Sequence, residues 1–355
     1  MSADSHPGPP ETDADPSHRI YWEDFGVGVA ADFGAAEVTA SDIVAYAREF
    51  DPVPGHLDEV AAQDLPAGGL IASDWHSCAM LMRMMCDDYL CRAAGAGAPG
   101  VEHVKWFGFV RPGDRLWARR TPLEIRASKS RPRIGIVRML IEVFNQRDQK
   151  VMSWLPVQLF DRRNPDATPP APKIVGERVG HAPDMREPEK FVVLPAAEFG
   201  VFEDIEIGQE TQLGSHTFSK NGMLGFATQF NPQYFHADEE AAAASLYGGL
   251  IASGWHTAAV WNRLFVLQHR HLTVAGTDRR TAYELSIAVH DMKWPNPVRA
   301  GDTISYSTRV TDKADVERYP RCGIVKSVNE GFNQRGEMVL QLNHERWVER
   351  RNPLG

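Results

Sequence analysis

The sequence predicts an α+β protein built from two copies of one unit, each a buried helix wrapped by an antiparallel sheet. Three observations predict it. A nine-residue segment from Gly68 to His76 (GGLIASDWH) returns from Gly248 to His256 (GGLIASGWH), with one difference and an offset of 180. Each segment leads into a stretch that is apolar nearly all round: Trp75, Cys78, Ala79, Met80, Leu81, Met82, Met84 and Met85 in the first copy, and Trp255, Ala258, Ala259, Val260, Trp261, Leu264, Phe265 and Val266 in the second. A helix with so little polar face has to be buried. The remainder of each copy alternates apolar and polar residues between turns such as Arg111-Pro112-Gly113-Asp114 and Arg299-Ala300-Gly301-Asp302, the signature of antiparallel strands.

Further matches fix the extent of the repeat. Glu23-Asp24 pairs with Glu203-Asp204 and His56 with His236, again 180 apart. Lys105-Trp106 pairs with Lys293-Trp294, Phe144-Asn145-Gln146-Arg147 with Phe332-Asn333-Gln334-Arg335, and Arg162-Arg163-Asn164-Pro165 with Arg350-Arg351-Asn352-Pro353, now at 188. The second copy therefore carries eight extra residues after its central helix. The copies span residues 19–165 and 198–353. Residues 1–18 have the composition of a disordered tail rather than a signal peptide, and the Pro- and charge-rich stretch 166–197 that of an extended connector. Thr39 or Ser41 is placed to cap a helix ahead of a Pro-rich loop at 51–56.

Composition narrows the function. With 355 residues there is enough chain for two sizeable cores. A formal net charge of −9 argues against nucleic acid as the main partner, since phosphate-backbone binding needs a dense positive face. No apolar run is long enough to span a bilayer. The four cysteines, Cys78, Cys86, Cys91 and Cys322, form no CxxC pair and fit reduced thiols in a cytoplasmic protein, bystanders to the chemistry. The 13 histidines show no HExxH pair, and neither a metal nor a redox cofactor is expected.

The loop ahead of each central helix carries the chemistry. In the first copy it reads Phe50-Asp51-Pro52-Val53-Pro54-Gly55-His56, with Asp74 eighteen positions beyond the histidine; in the second it reads Phe230-Asn231-Pro232-Gln233-Tyr234-Phe235-His236, with Gly254 at the matching place. Together with the GGLIASxWH repeat, these loops resemble the MaoC-like acyl dehydratases and (R)-specific, or type 2, enoyl-CoA hydratases, over both copies. The resemblance implies two hotdog domains paired as a pseudo-dimer. It also implies an Asp and a His five positions apart as acid–base pair, and a glycine whose backbone N–H joins an oxyanion hole. Each copy departs once from that pattern: the first puts Asp74 where the glycine belongs, and the second puts Asn231 where the carboxylate belongs.

Hydrating an α,β-unsaturated thioester delivers a hydroxyl to the β-carbon and a proton to the α-carbon while negative charge builds on the thioester oxygen. An imidazole and a carboxyl group handle the protons, and N–H groups at a helix N-terminus face the oxygen. Asp51 and His56 are the expected catalytic pair; Ser73, Asp74, Ser253 and Gly254 are the expected oxyanion and substrate-binding positions. Asn231 and His236 form a degenerate second site, because an amide is no base; His236 reads either as a relic of duplication or as a ligand-holding residue. The expected partner is an acyl-CoA, with coenzyme A as part of the substrate, and a homodimer of such chains is a separate expectation. A hotdog acyl-CoA thioesterase, for which Asp74 is the foothold, and a weakly active acyl-CoA-binding subunit are the alternatives. His76 and His256 read as hydrogen-bonded structural histidines, and Arg83 and Arg263 as packing or interface residues. Arg126, Lys129, Arg131 and Arg133, with Arg279, Arg280, Lys293 and Arg299, are the cations available for CoA phosphates, although such runs are more often a solvated face. The methionines of the first helix read as core that can also line an acyl pocket.

Overall fold

The computed structural model describes residues 19–63, 65, 67–168, 171–176, 200–270 and 282–354. The expected tail, most of the connector, Arg279, Arg280 and much of the second copy's insertion lie outside the described residues. The first copy runs β1 (Ala31–Glu37), α1 (Ala40–Phe50), α2 (Pro54–Leu57), α3 (Glu59–Gln63), α4 (Asp74–Met85), one π-helical turn (Cys86–Leu90), then β2 (Gly95–Trp106), β3 (Arg115–Ala127), β4 (Ile134–Phe144) and β5 (Lys150–Asp161). Within the connector, β6 (Lys173–Ile174) adds to β3. The second copy repeats the order as β7 (Glu210–Thr217), α5 (Lys220–Phe230), α6 (Tyr234–Ala237), α7 (Glu239–Ala243), α8 (Gly254–Arg270), β8 (Glu284–Lys293), β9 (Thr303–Asp315), β10 (Cys322–Asn333) and β11 (Met338–Glu349). Among the described residues no helix is long and apolar enough to cross a membrane.

All the named strands join one antiparallel sheet in the order β1-β3-β4-β5-β2-β8-β11-β10-β9-β7, a palindrome of the two copies. The centre of the palindrome is the β2–β8 pair, with Val101 opposite Met292 and Val104 opposite Val289. Pairing there covers one edge of each copy and leaves β1 and β7 as the ends of the sheet. The two copies are the expected pseudo-dimer of hotdog units, with α4 and α8 on the inner side of the shared sheet. Their cores merge: the rings of Trp154 on β5 and Trp255 on α8 stack 4.1 Å apart, and Trp75 on α4 meets Trp261 on α8 edge-on at 5.5 Å.

The repeated sequence motifs turn out to be latches between elements. Asp114 accepts the backbone N–H of Arg111 (2.8 Å) and the side-chain amide of Gln146 (3.1 Å), while Gln146 accepts the N–H of Arg115 (3.0 Å). Asp302, Arg299, Gln334 and Thr303 repeat the arrangement. The RPGD-type and FNQR motifs are thus two halves of one link between turns. Arg163 pairs with Asp24 and Arg351 with Asp204, each at 2.7 Å, closing the last strand of each copy onto its entry turn. Thr39 caps α1 by accepting the N–H of Asp42, as one of the two candidates.

The central helices exchange contacts across the copies. Arg263 on α8 donates to the carbonyls of Arg48 (3.0 Å) and Glu49 (2.6 Å) at the end of α1, and buried Asn262 donates to Phe50 (3.3 Å). Reciprocally, Arg83 on α4 donates to the Thr228 carbonyl near the end of α5 (3.0 Å). The interface role expected of both arginines is the one they have. His76 and His256 are buried, but ring stacking on Tyr46 (4.6 Å) and Phe226 (4.7 Å) holds them, and Nδ1 of each has no hydrogen-bond partner among the described residues. The expectation of hydrogen-bonded histidines is corrected to that extent, because apolar helix faces surround both rings.

Two predictions follow from this packing. A Cβ at Gly135 would lie 2.0 Å from the indole of Trp22, which is rigidly buried and donates to the Ile136 carbonyl. Gly135→Ala is expected to cost about 1–3 kcal/mol of stability by overpacking, whereas Gly176→Ala, with nothing within 4 Å, is expected to leave the urea midpoint unchanged. Burial also pushes His76 down to about 4 and His256 down to about 3. Because the folded values lie below the unfolded one, stability is complete above about pH 6.5 and falls as pH drops towards 4, by up to about 1.4 kcal/mol per pH unit for each histidine. Urea midpoints measured at pH 7 and pH 5 test this, and His256→Phe is expected to flatten the dependence.

Candidate active site

Asp51 is the residue that ends α1, its N–H bonded to the Ala47 carbonyl (2.9 Å), and Pro52 prevents the helix from continuing. The chain then turns through the single turn α2, opened by Pro54, which places His56 back over Asp51. Two bonds tie this loop to the segment ahead of α4: the Ile71 N–H donates to the Gly55 carbonyl (3.2 Å), and His56 Nδ1 donates to the Ile71 carbonyl (2.9 Å). With Nδ1 turned to that carbonyl, Nε2 faces Asp51, 3.7 Å from Oδ2. The Ser73 hydroxyl donates to the same Oδ2 at 2.5 Å, while Ser73 Oγ also accepts the Trp75 N–H as the cap of α4. Asp51 Oδ1 is buried without a hydrogen-bond partner among the described residues.

The second copy reproduces the backbone and changes the chemistry. Asn231 ends α5 with φ −148° and ψ 67°, against −151° and 65° for Asp51. Here the direction of the serine bond reverses: Asn231 Nδ2 donates to Ser253 Oγ (2.9 Å). Asn231 Oδ1 accepts from Gln233 (2.9 Å) and from the Cys86 thiol (3.4 Å), so both ends of the amide are engaged. His236 Nδ1 donates to the Ile251 carbonyl (2.9 Å), and burial pushes the ring down to about 4, which keeps it neutral.

The two helix entrances differ as well. A Cβ at Gly254 would sit 2.5 Å from the Trp294 indole, which lies directly over the start of α8. Asp74 occupies the matching position on α4, and there Trp106 donates from Nε1 to the Asp74 carbonyl (3.3 Å). The substitution that breaks the sequence pattern thus goes with a different seat for the paired tryptophan.

A cavity of about 510 Å³ opens beside Asn231 and His236. Its walls come from both copies, with Met82, Met85 and Trp154 of the first facing Trp255 and Trp294 of the second, and Arg131 and Arg299 also lining it. Met82 and Met85 of α4 therefore line a cavity shared by the two copies. Of the remaining cations proposed for phosphates, Arg126 pairs with Glu124 (3.0 Å) and Arg133 with Asp161 (4.0 Å). Gln233, Cys86 and Asn262 escaped the sequence reading because each acts through a residue of the other copy or through an amide network. Equivalence of position to Val53, Val266 and Met82 under the 180 offset was the one available signal.

Comparison with known proteins agrees with this geometry. The MaoC like domain model matches residues 27–139 and 204–330, once in each copy. The Bacillus subtilis (strain 168) protein YdeM is 28% identical over 141 residues, 39% of this chain and 92% of that one. Among solved structures, a MaoC domain dehydratase from Chloroflexus aurantiacus J-10-fl aligns over 98% of this chain and 99% of its own, with a TM-score of 0.76 and 16% identity. A Mycobacterium tuberculosis protein with a double hotdog fold aligns over 94% and 99%, with a TM-score of 0.68 and 15% identity. At those identities the two structures speak for the fold alone. The paired domain matches, the shared sheet and the duplicated loops together make this chain a member of the MaoC-like dehydratase family, with two hotdog domains in one polypeptide.

Proposed function

We propose that this protein is a hydro-lyase that adds water to an enoyl-CoA thioester to give a 3-hydroxyacyl-CoA, or runs the reverse dehydration, with Asp51 and His56 as its acid–base pair. One observation carries the reading. Nε2 of His56 and the carboxylate of Asp51 stand 3.7 Å apart, Oδ1 has no partner among the described residues, and in the neutral imidazole that a general base requires Nε2 is a second acceptor. One water has two hydrogens to give, so this pair of acceptors suits a single water held for attack. Water gives its hydroxyl to the β-carbon and one proton to the pair, and the pair returns a proton to the α-carbon, so atoms and charge balance. In this reading the backbone N–H groups at the start of α4, around Ser73 and Asp74, receive the thioester oxygen.

The second copy takes a binding role in this reading. Its amide can neither accept nor release a proton at neutral pH, yet its apolar cavity and the adjacent Arg131 and Arg299 suit an acyl chain and an anionic carrier. The thioesterase alternative rests on Asp74 at the first turn of α4. Incubation with crotonyl-CoA separates the two, since hydration removes the conjugated double bond and hydrolysis releases a free thiol.

Asp51→Asn and His56→Ala are each expected to lower kcat/KM for crotonyl-CoA about 10²–10⁴-fold, the range for lost general acid–base catalysis, with the thermal midpoint retained to show folding. His236→Ala is expected to cost far less; an equal or greater loss there would move the chemistry to the second copy. Asn231→Asp alone is expected to create no second active site in the His56→Ala background, because Gln233 and Cys86 already donate to the side-chain oxygen at that position.

A further inference from the structure

Cysteines five apart carry no message in a regular α-helix, where their side chains diverge by about 140°. Here the end of α4 widens into the π-helical turn Cys86–Leu90, and the N–H of Cys91 donates to the carbonyl of Cys86 (3.3 Å). That bond stacks Cys91 directly on Cys86. Cys86 is buried and Cys91 is exposed. Both thiols face the same loop of the other copy: Cys86 donates to Asn231 Oδ1 (3.4 Å) and Cys91 to the Pro232 carbonyl (3.5 Å).

We propose that Cys86 and Cys91 form an oxidation site, a dithiol that closes to an intramolecular disulfide on exposure to a hydroperoxide. The pair is divided as such chemistry requires. When Cys91 ionises, the Cys86 S–H turns from Asn231 to the thiolate, which lowers Cys91 below the usual thiol range, and burial pushes Cys86 well above it. The accessible sulfur is thus the one that more readily becomes thiolate. The Cys91 thiolate attacks the peroxide oxygen, breaking the O–O bond to give a sulfenic acid and a hydroxide that takes up a proton as water. The Cys86 sulfur then attacks the Cys91 sulfur, the S–OH bond breaks, and a second water leaves with the Cys86 proton. Two thiols and one hydrogen peroxide become one disulfide and two waters.

Helical neighbours stand about 5–6 Å apart at Cβ, whereas a disulfide draws the Cβ atoms to about 3.5–4.5 Å. Closing the bond therefore tightens the turn, for which Cys91 is suited because it lies past the last helical residue. A strained bond of this kind is readily reduced, which makes the site reversible. Closure also consumes both S–H donors, leaving Asn231 Oδ1 with Gln233 and removing the thiol contact to Pro232.

Trypsin releases both cysteines in one peptide, Met84 to Arg92, which contains no other cysteine. The full-length protein is treated with hydrogen peroxide, denatured, alkylated with iodoacetamide and digested. The expected result is loss of both alkylation sites from this peptide and a mass lower by two hydrogens, restored by dithiothreitol, while Cys78 and Cys322 remain alkylated. In Cys86→Ser the exposed Cys91 is expected to stop at a sulfenic acid that dimedone traps, and in Cys91→Ser Cys86 is expected to stay alkylatable. Sulfinic or sulfonic acid at Cys91 with Cys86 still alkylated in the parental protein, a disulfide between two chains, or no loss of either thiol would each overturn the proposal.

Discussion

The constraint on which the rest depends is the capping of helices α1 and α5 by the opposite copy. The last carbonyls of a helix have no partners within it and must find them elsewhere or face water. In α1, Arg263 and Asn262 of α8 take the carbonyls of Arg48, Glu49 and Phe50, the three immediately before Asp51. In α5, Arg83 of α4 takes that of Thr228. Each reactive loop therefore starts from a helix end that the other copy holds. Each loop is held by its own helix entrance on one side and by the other copy on the other, which gives a physical reason for the two copies to act as one body.

On that common frame a single atom exchange separates the two sites. Asp51 and Asn231 share backbone angles to within a few degrees, and His56 and His236 make the same bond to an isoleucine carbonyl. A carboxylate draws the serine proton towards itself and keeps one oxygen in reserve; an amide donates to the serine and fills its oxygen from Gln233 and Cys86. The first arrangement leaves acceptors for a reacting water. The second is satisfied without one, and a fully satisfied buried network serves to hold shape.

The described cavity adjoins the amide site, while on the carboxylate side buried Asn262 of α8 occupies the position that Met82 fills on α4. An asparagine there completes the cap on α1, whereas a methionine leaves an apolar wall for the cavity. One residue difference in the central helices thus supplies a helix cap on one side and a cavity wall on the other.

The sequence by itself determined the duplication, the family, the buried central helices and the paired loops, because these depend on local pattern: an offset between identical segments, an all-round apolar helix, and an Asp or Asn before proline followed by a histidine. It also showed which copy holds the carboxylate. Whatever crosses from one copy to the other became visible in three dimensions alone: the caps on α1 and α5, Met82 and Met85 lining a cavity beside Asn231, and the two thiols set against the Asn231–Pro232 loop. The structural histidines also gained their setting there, in ring stacking rather than hydrogen bonds. The physical reason is that periodicity reports which face of an element is buried, whereas the partner on that face is chosen by packing between segments more than a hundred residues apart.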